Sequence, residues 1–418
     1  MRGGFGIFYS RIPQIYESAL ATNNGVNRLN LILNNSHTLE RQFFPQYPNP
    51  LVSCAPTASI CLPPQELLSQ VTSDVSAFAP NYKTPQVQQS SLSVEKELGH
   101  KILGEVSFLH THGVHLIRAR DVNLPPPVDV QYPVFDDSGI NLLGYYPVQT
   151  FSTWQLTQSL TCPFPPCINP LARPIPQLGA INVFETHASS QYNGLTVSLQ
   201  RRLRDGLYFR MGYTWAHAID DGQDALVAGR PVSVQNSFGT RAEKASSVTD
   251  QRQRFVFSMI AEPNPMPATQ PMLASLFNHW KLASVVTVGS GRPYEAKVTG
   301  DPNQDGNSLN DRLPGRGRNS LVGPAYSTTD ARFSRNFHIS NKIGLEFLAE
   351  TFNLFNHTNK RLAISEDGFQ TRAAQFVPFS QRSGTTYYPG QYRRATSFTS
   401  ATSTYAPRQI EVAIRLKF

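Results

Sequence analysis

The segment Asp301-Pro302-Asn303-Gln304-Asp305-Gly306 puts oxygen-bearing side chains at alternate positions and a glycine sixth. This is how a calcium loop opens: a hard cation takes oxygen ligands, and the glycine permits the sharp turn between them. The twelfth position holds Arg312 where a bidentate glutamate would sit, with Asp311 beside it. Calcium held by Asp301, Asn303, Asp305 and Asp311 is one reading, and an Asn/Asp/Gly-rich surface turn is the other. No other cofactor is suggested. His110, His112 and His115 stand where a strand runs into a loop. His110 and His112 share a face and could chelate a transition metal, or they simply make a polar strand end. The four cysteines fall in two close pairs within Pro-rich segments, Cys54 with Cys61 and Cys162 with Cys167. Such pairing favours local disulfides in an oxidising compartment, and Cys162 and Cys167 lack the spacing of a C-x-x-C redox site. Acidic pairs exist at Asp220-Asp221 and at Glu346 with Glu350, the latter sharing one face of a strand as a lumen wall would. There is no G-x-S-x-G, H-E-x-x-H or P-loop, so no catalytic residue is assigned and no enzyme is expected.

The elements that must carry these residues show period-two alternation. Ile410, Val412, Ile414, Leu416 and Phe418 point one way, and Gln409, Glu411, Arg415 and Lys417 the other. Successive side chains of a strand project to opposite faces, so the segment has one apolar and one charged wall. Leu195, Val197 and Leu199 repeat the pattern. After an Arg204-Asp205-Gly206 turn, Leu207, Phe209, Met211, Tyr213 and Trp215 make the next apolar row. The pattern predicts ten strands, at 4–11, 84–98, 101–113, 191–203, 207–219, 253–264, 279–298, 326–339, 341–357 and 406–418. Most reach the ~9–11 residues a tilted strand needs to cross a bilayer. Connections alternate between short (99–100, 204–206, 265–278, 340) and long (12–83, 114–190, 220–252, 299–325, 358–405). Short turns on one side and long loops on the other describe an outer-membrane barrel, with the long loops outside. The expected fold is all-β, a partial antiparallel transmembrane β-barrel of about ten strands with long extracellular loops. Tyr213, Trp215, Trp280, Phe352 and Phe418 lie near strand ends and suit interfacial girdles. A soluble sandwich or propeller would also alternate, but would need several structureless loops beyond about 15 residues.

Composition agrees with this. Of 418 residues, 16% are charged and 40% hydrophobic. The first figure is well under the ~25% usual in soluble domains. A mean hydropathy of −0.31 and the absence of an apolar run near ~18 residues exclude helical spans. The net charge of +8 is scattered, with no nucleic-acid-binding signature, so nucleic acid is not an expected partner. The N-terminal MRGGFGIFYSR has no secretory h-region or cleavage site. Export to an outer membrane therefore implies an upstream N-terminus or a truncated reading frame.

Several stretches resemble the C-terminal barrel of Oar-like TonB-dependent receptors of the acidobacterial type. They are RGGFGIFYSR at 2–11, TPQVQQSSLSVEKELG at 84–99, YNGLTVSLQRRLRDGLYFRMGYTWAHAIDD at 192–221, DQRQRFVFS at 250–258, GSGRPY at 289–294, FLAETFNLFNHTN at 347–359 and PRQIEVAIRLKF at 407–418. They recur in family order over nearly the whole chain. The resemblance implies that residues 1–418 are the C-terminal part of a larger barrel, without its plug and N-terminal strands. It implies TonB-dependent uptake of a bulky nutrient through the outer membrane, an extracellular ligand, and coupling to TonB through the missing plug. A non-transporting surface or adhesion barrel is the alternative. A terminal aromatic on the last strand resembles the signature read by the barrel-assembly machinery, which makes Phe418 an expected assembly signal.

The cysteine spacing yields a direct test. Thiol titration of protein isolated without reductant should find none of Cys54, Cys61, Cys162 and Cys167 free. Closing such short loops stabilises them by about 2–3 kcal/mol in the chain-entropy model. Four free thiols would refute both pairings.

Overall fold

The structure is a computed structural model. It describes residues 1–25, 73–151, 173–222, 226–227, 230–264, 266–267, 269–270, 272–273, 277–338, 343–361, 373–377, 380–382, 386–388, 390–394 and 403–418. All ten expected strands are present: β1 (Arg2–Tyr9), β2 (Gln86–Glu97), β3 (Ile102–Asp121), β4 (Leu178–Arg204), β5 (Leu207–Asp220), β6 (Gln253–Ala261), β7 (Trp280–Gly289), β8 (Tyr326–His338), β9 (Gly344–Phe352) and β10 (Gln409–Lys417). They line up in chain order in one sheet, each antiparallel to the next. β1 and β10 are its two edges and do not pair, so among the described residues the sheet is not closed. No helix is long and apolar enough to cross a membrane.

The register makes the sheet two-sided. One row across six strands reads Val94, Val106, Val197, Tyr213, Phe255 and Val288, each directly opposite the next. The neighbouring row on the other face reads Arg2, Ser93, Ser107, Thr196, Thr214 and Arg254. In β10, Ile410, Val412, Ile414 and Leu416 stand 66%, 63%, 67% and 56% exposed on the apolar face. An apolar face repeated from strand to strand in this way far exceeds what a water-facing protein tolerates, and it suits hydrocarbon. Opposite charges meet on the polar wall: Arg332 with Glu350 at 3.2 Å, Arg415 with Glu346 at 3.4 Å and Arg2 with Glu95 at 3.2 Å. Glu346 and Glu350 therefore line the wall away from lipid, as their spacing predicts.

Local chemistry sets the ends. Asp205 and Gly206 both have positive φ (51° and 70°), the two-residue hairpin turn whose twist matches its strands. A side chain at Gly206 would sit 2.2 Å from the Glu262 carbonyl oxygen, so this position requires glycine. At the same end Trp280 stacks on Phe333 at 4.5 Å, and Arg335, opposite Trp280 on the apolar face, lies 4.8 Å from its ring. A guanidinium among interfacial aromatics keeps its charge near the headgroups while its stem stays apolar. Tyr213, Trp215 and Trp280 are on the apolar face, as girdle residues should be. Phe352 is not: in register with Gln409, it shares the polar wall with Glu350.

Five elements differ from expectation. The strand predicted at 279–298 ends at Gly289, after which the chain leaves the sheet. β3 and β4 continue for 20 and 27 residues, well past the ~9–11 a span needs. Their extensions pair with each other beyond an irregularity at Gly113–Leu116, and a parallel strand, Ser73–Phe78, adds to β4. A helix, α1 (Gln14–Thr22), packs there through Tyr16 and Leu20 against the fully buried Phe184.

The facing of β10 can be tested by outer-membrane yield. Ile414→Arg places a charge in hydrocarbon and should cost about 2–4 kcal/mol if near the midplane. Arg415→Ile removes the exposed partner of the buried Glu346 on the other wall and should reduce yield less than Ile414→Arg does. Equal yields would disprove the facing.

Candidate functional site

The long connections leave the end of the sheet opposite the Asp205-Gly206 turn, and described segments of three of them fold into a cap. Val128–Phe135 and Leu142–Thr150, from the β3–β4 connection, form a hairpin. Ala374–Val377 and Gln391–Arg394, from the β9–β10 connection, pair beside it, and Val298–Thr299, from the β7–β8 connection, completes a five-stranded sheet. Three loops far apart in sequence thus share one core, which holds Tyr132, Val134, Val298, Leu313, Phe376 and Tyr392. The Tyr132, Phe376 and Tyr392 rings meet edge-on at 5.0–6.2 Å. Each such pair adds about 0.5–1.5 kcal/mol beyond its buried area. The irregular outer loops predicted from composition are, in these segments, an ordered domain.

Buried charge ties the cap to the strand ends. Arg312 donates a fork of hydrogen bonds to Glu243, at 2.7 and 2.5 Å, and a third from Nε to Gln235 at 2.7 Å. Glu295 lies 3.4 Å from Arg312 and 3.1 Å from Lys297. Arg318 donates to the Glu243 carbonyl and forms an ion pair with Asp220 at the end of β5. Burial alone would raise the Glu243 carboxyl, but the Arg312 hydrogen bonds and charge outweigh it and hold it below the usual range. Burial pushes the Lys297 ammonium down, only partly offset by Glu295. A second node joins Arg118 and Arg120 to Glu185 at 2.7 and 3.2 Å, where β3 and β4 extend into the cap. Arg312 and Asp220 were noticed in the sequence for other reasons, but not these pairings: Arg312 and Glu243 are 69 positions apart, with no local pattern joining them.

The segment 301–311 is packed inside the cap rather than lying as a surface turn, and Asn303, Asp305, Asn310 and Asp311 are all buried. Gly306 has φ +87°, the sharp turn expected of it, and its N–H donates to Asp301 Oδ2 at 2.9 Å. Asp305 accepts from the Asn307 N–H (2.7 Å) and from Asn310 Nδ2 (2.6 Å). Asn303 accepts from the Asp305 N–H and donates to the Gln235 carbonyl. Burial, then the charge of Asp301, pushes the Asp305 carboxyl up to about 8. Asp301 and Asp311 are likewise raised, by burial first.

Beside this segment is a cleft of about 230 Å³, bordered by Gln149, Phe151, Asn236, Pro302, Arg312 and Arg316. The Asn236 amide and the Arg316 guanidinium, beside the Phe151 ring, suit an oxygen-rich ligand that accepts hydrogen bonds.

Other predicted positions fare differently. His110 and His112 do share a face in the register, but His110 is engaged by Asn193 at 2.7 Å and His115 falls in the strand irregularity. Among the described residues no three His, Cys, Asp or Glu side chains are grouped as metal ligands. Asp221 caps the backbone N–H of Ser189. Cys54, Cys61, Cys162 and Cys167 lie outside the described residues. Phe418 follows β10 and is 99% exposed.

A model of the outer membrane beta barrel domain matches residues 1–316 and 314–411. This chain belongs to that family. The outer-membrane barrel domain is thus placed in the outer membrane by its family and by its two-faced sheet. No curated protein matches it. Among solved structures it is similar to the ferric enterobactin receptor of Pseudomonas aeruginosa (11% identity, TM-score 0.39, covering 80% of this chain and 31% of that one). It is also similar to the FrpB iron transporter from Neisseria meningitidis (9%, 0.37, 82% and 33%) and the outer membrane transporter YddB from Escherichia coli (9%, 0.36, 77% and 33%). The chain spans about a third of the length of these proteins.

The ionic core predicts a contrast. Glu243→Gln leaves the buried Arg312 without its partner and should cost the cap about 3–5 kcal/mol near neutral pH. Glu350→Gln, on a half-exposed pair, should cost about 1 kcal/mol or less. Because the Glu243 carboxyl is lowered in the folded cap, its stabilisation is present above the ordinary carboxylate range and lost as pH falls through the lowered value. The two proteins should therefore converge on acidification. Amide hydrogen exchange in 128–135 would measure this, and a Glu243→Gln penalty unchanged by acid would contradict it.

Proposed function

We propose that this barrel domain is part of an outer-membrane receptor that captures a scarce, bulky nutrient at its cap and takes it up in a TonB-dependent manner. The supporting observation is the cap: three long loops converge on one core and hold a cleft open beside it. A binding site built on packed strands loses little freedom when ligand arrives, which favours affinity. The polar wall of the sheet lines the route below. Within this reading the ten strands are one arc of a closed barrel, since unpaired backbone groups at β1 and β10 would cost several kcal/mol each in lipid. The resemblance to TonB-dependent receptors supplies the rest: a plug closes the lumen, TonB moves it, and the assembly machinery engages Phe418. No catalytic step belongs to this reading.

Competitive growth of the host under single-nutrient limitation tests it, with iron, corrinoid and glycan supplied in turn. Disrupting the gene should slow uptake of one nutrient at least tenfold, and loss of TonB should reproduce the defect. Unchanged uptake of every nutrient, with surface attachment lost instead, would replace transport by adhesion.

A further inference from the structure

Eleven buried side-chain polar atoms have no hydrogen-bond partner among the described residues. Seven are hydroxyls or guanidinium nitrogens scattered through the molecule. The other four are the only oxygens among them that can accept but not donate, and all belong to the 301–311 segment: Asp301 Oδ1, Asn310 Oδ1 and both carboxylate oxygens of Asp311. Asp311 and Asn310 are 0% exposed. The Asn310 amide is oriented by its Nδ2, which donates to Asp305 at 2.6 Å, and Asp301 and Asp311 lie near enough to feel each other's charge.

The positive groups near enough to act on them, Arg173 on Asp301 and Lys297 on Asp311, are each paired with another carboxylate. Asp301, Asp305 and Asp311 make no ion pair among the described residues, while Arg173 is held by Asp121 at 2.9 Å and Lys297 by Glu295 at 3.1 Å. A buried acceptor lacking a donor costs about 1–3 kcal/mol, and an uncompensated buried charge more. Four such oxygens in one buried loop segment call for a positive partner that is not a side chain.

We infer that Asp301, Asn310 and Asp311 bind a hard divalent cation, calcium, which locks the cap. The all-oxygen set excludes thiophilic metals, and a mixture of carboxylates and neutral amide oxygens on a loop suits calcium's larger, more flexible shell better than magnesium's octahedron. The arrangement differs from the one the D-x-N-x-D-G spacing suggests. Asn303 and Asp305 spend their side-chain oxygens on backbone and amide donors, so they shape the loop, and the ligands come from its two ends. The segment is the hub of the cap: Asn303 reaches Gln235 and Phe151, Asn310 reaches Val234, Gln304 reaches Tyr132, and Arg173 reaches the Asp305 carbonyl. A cation here would hold the loops together.

The test is calorimetric titration of calcium chloride into the full-length chelator-treated protein in detergent, with protease sensitivity of the cap read in parallel. One equivalent should bind with Kd of about 0.1–1 mM, as in extracellular modules, and slow cap cleavage at least fivefold. Asp301→Asn and Asp311→Asn should each weaken binding at least tenfold, and Glu350→Gln should leave it unchanged. Should Asp311→Asn fail to fold, Asp301→Asn, at a less buried position, decides. Folded protein without saturable calcium binding, binding indifferent to Asp301→Asn, or magnesium binding as tightly as calcium would overturn the inference.

Discussion

In hydrocarbon every backbone N–H and C=O must find a partner within the protein, and this requirement governs the molecule. It locks ten strands into neighbour-to-neighbour antiparallel pairing. Because side chains alternate with a period of two, a single register then decides the chemistry of both faces at once. The row from Val94 to Val288 and the adjacent row from Arg2 to Arg254 are two consequences of one hydrogen-bond ladder. A slip by one residue anywhere would carry arginine into lipid and valine into the lumen.

The cap obeys different physics. Beyond the membrane, water can satisfy loose backbone, so nothing forces the long connections to pair. They are held instead by an ordinary core around Tyr132, Phe376 and Tyr392, and by buried ion pairs centred on Arg312. Buried pairs contribute little net stability, but breaking one strands a charge, so they favour one arrangement of the loops over others. The Arg318–Asp220 pair and the Arg118–Glu185 pair carry that constraint to the ends of the strands. The cleft between the loops is thereby held in one shape.

The dense buried charge also explains why a chain poor in charged residues can house a functional site. In the cap, ionisable groups are concentrated where loops meet, while the membrane-facing wall carries almost none. The exceptions by register are Lys96, Arg201 and Arg335, all toward the short-turn end, and Arg335 sits among aromatics at the headgroup level, where a guanidinium is tolerated.

Strand number, order, the Asp205-Gly206 turn and the facing of β10 were all legible in the sequence, because each is a local or period-two property. Phe352 was misassigned because position near a strand end says nothing about which face the register gives it. The extensions of β3 and β4 were missed because their pairing lies beyond the alternating segment. Within the site, the sequence singled out the 301–311 segment and its glycine, whose conformational demand is local. It did not reveal that the segment is buried, that Asp305 is already satisfied, or that Glu243 waits for Arg312 across 69 residues. Those facts depend on which loops meet in space. Alternation along a chain specifies a wall by itself, whereas burial and charge pairing in the cap exist only once distant loops have packed, and only tertiary structure could decide them.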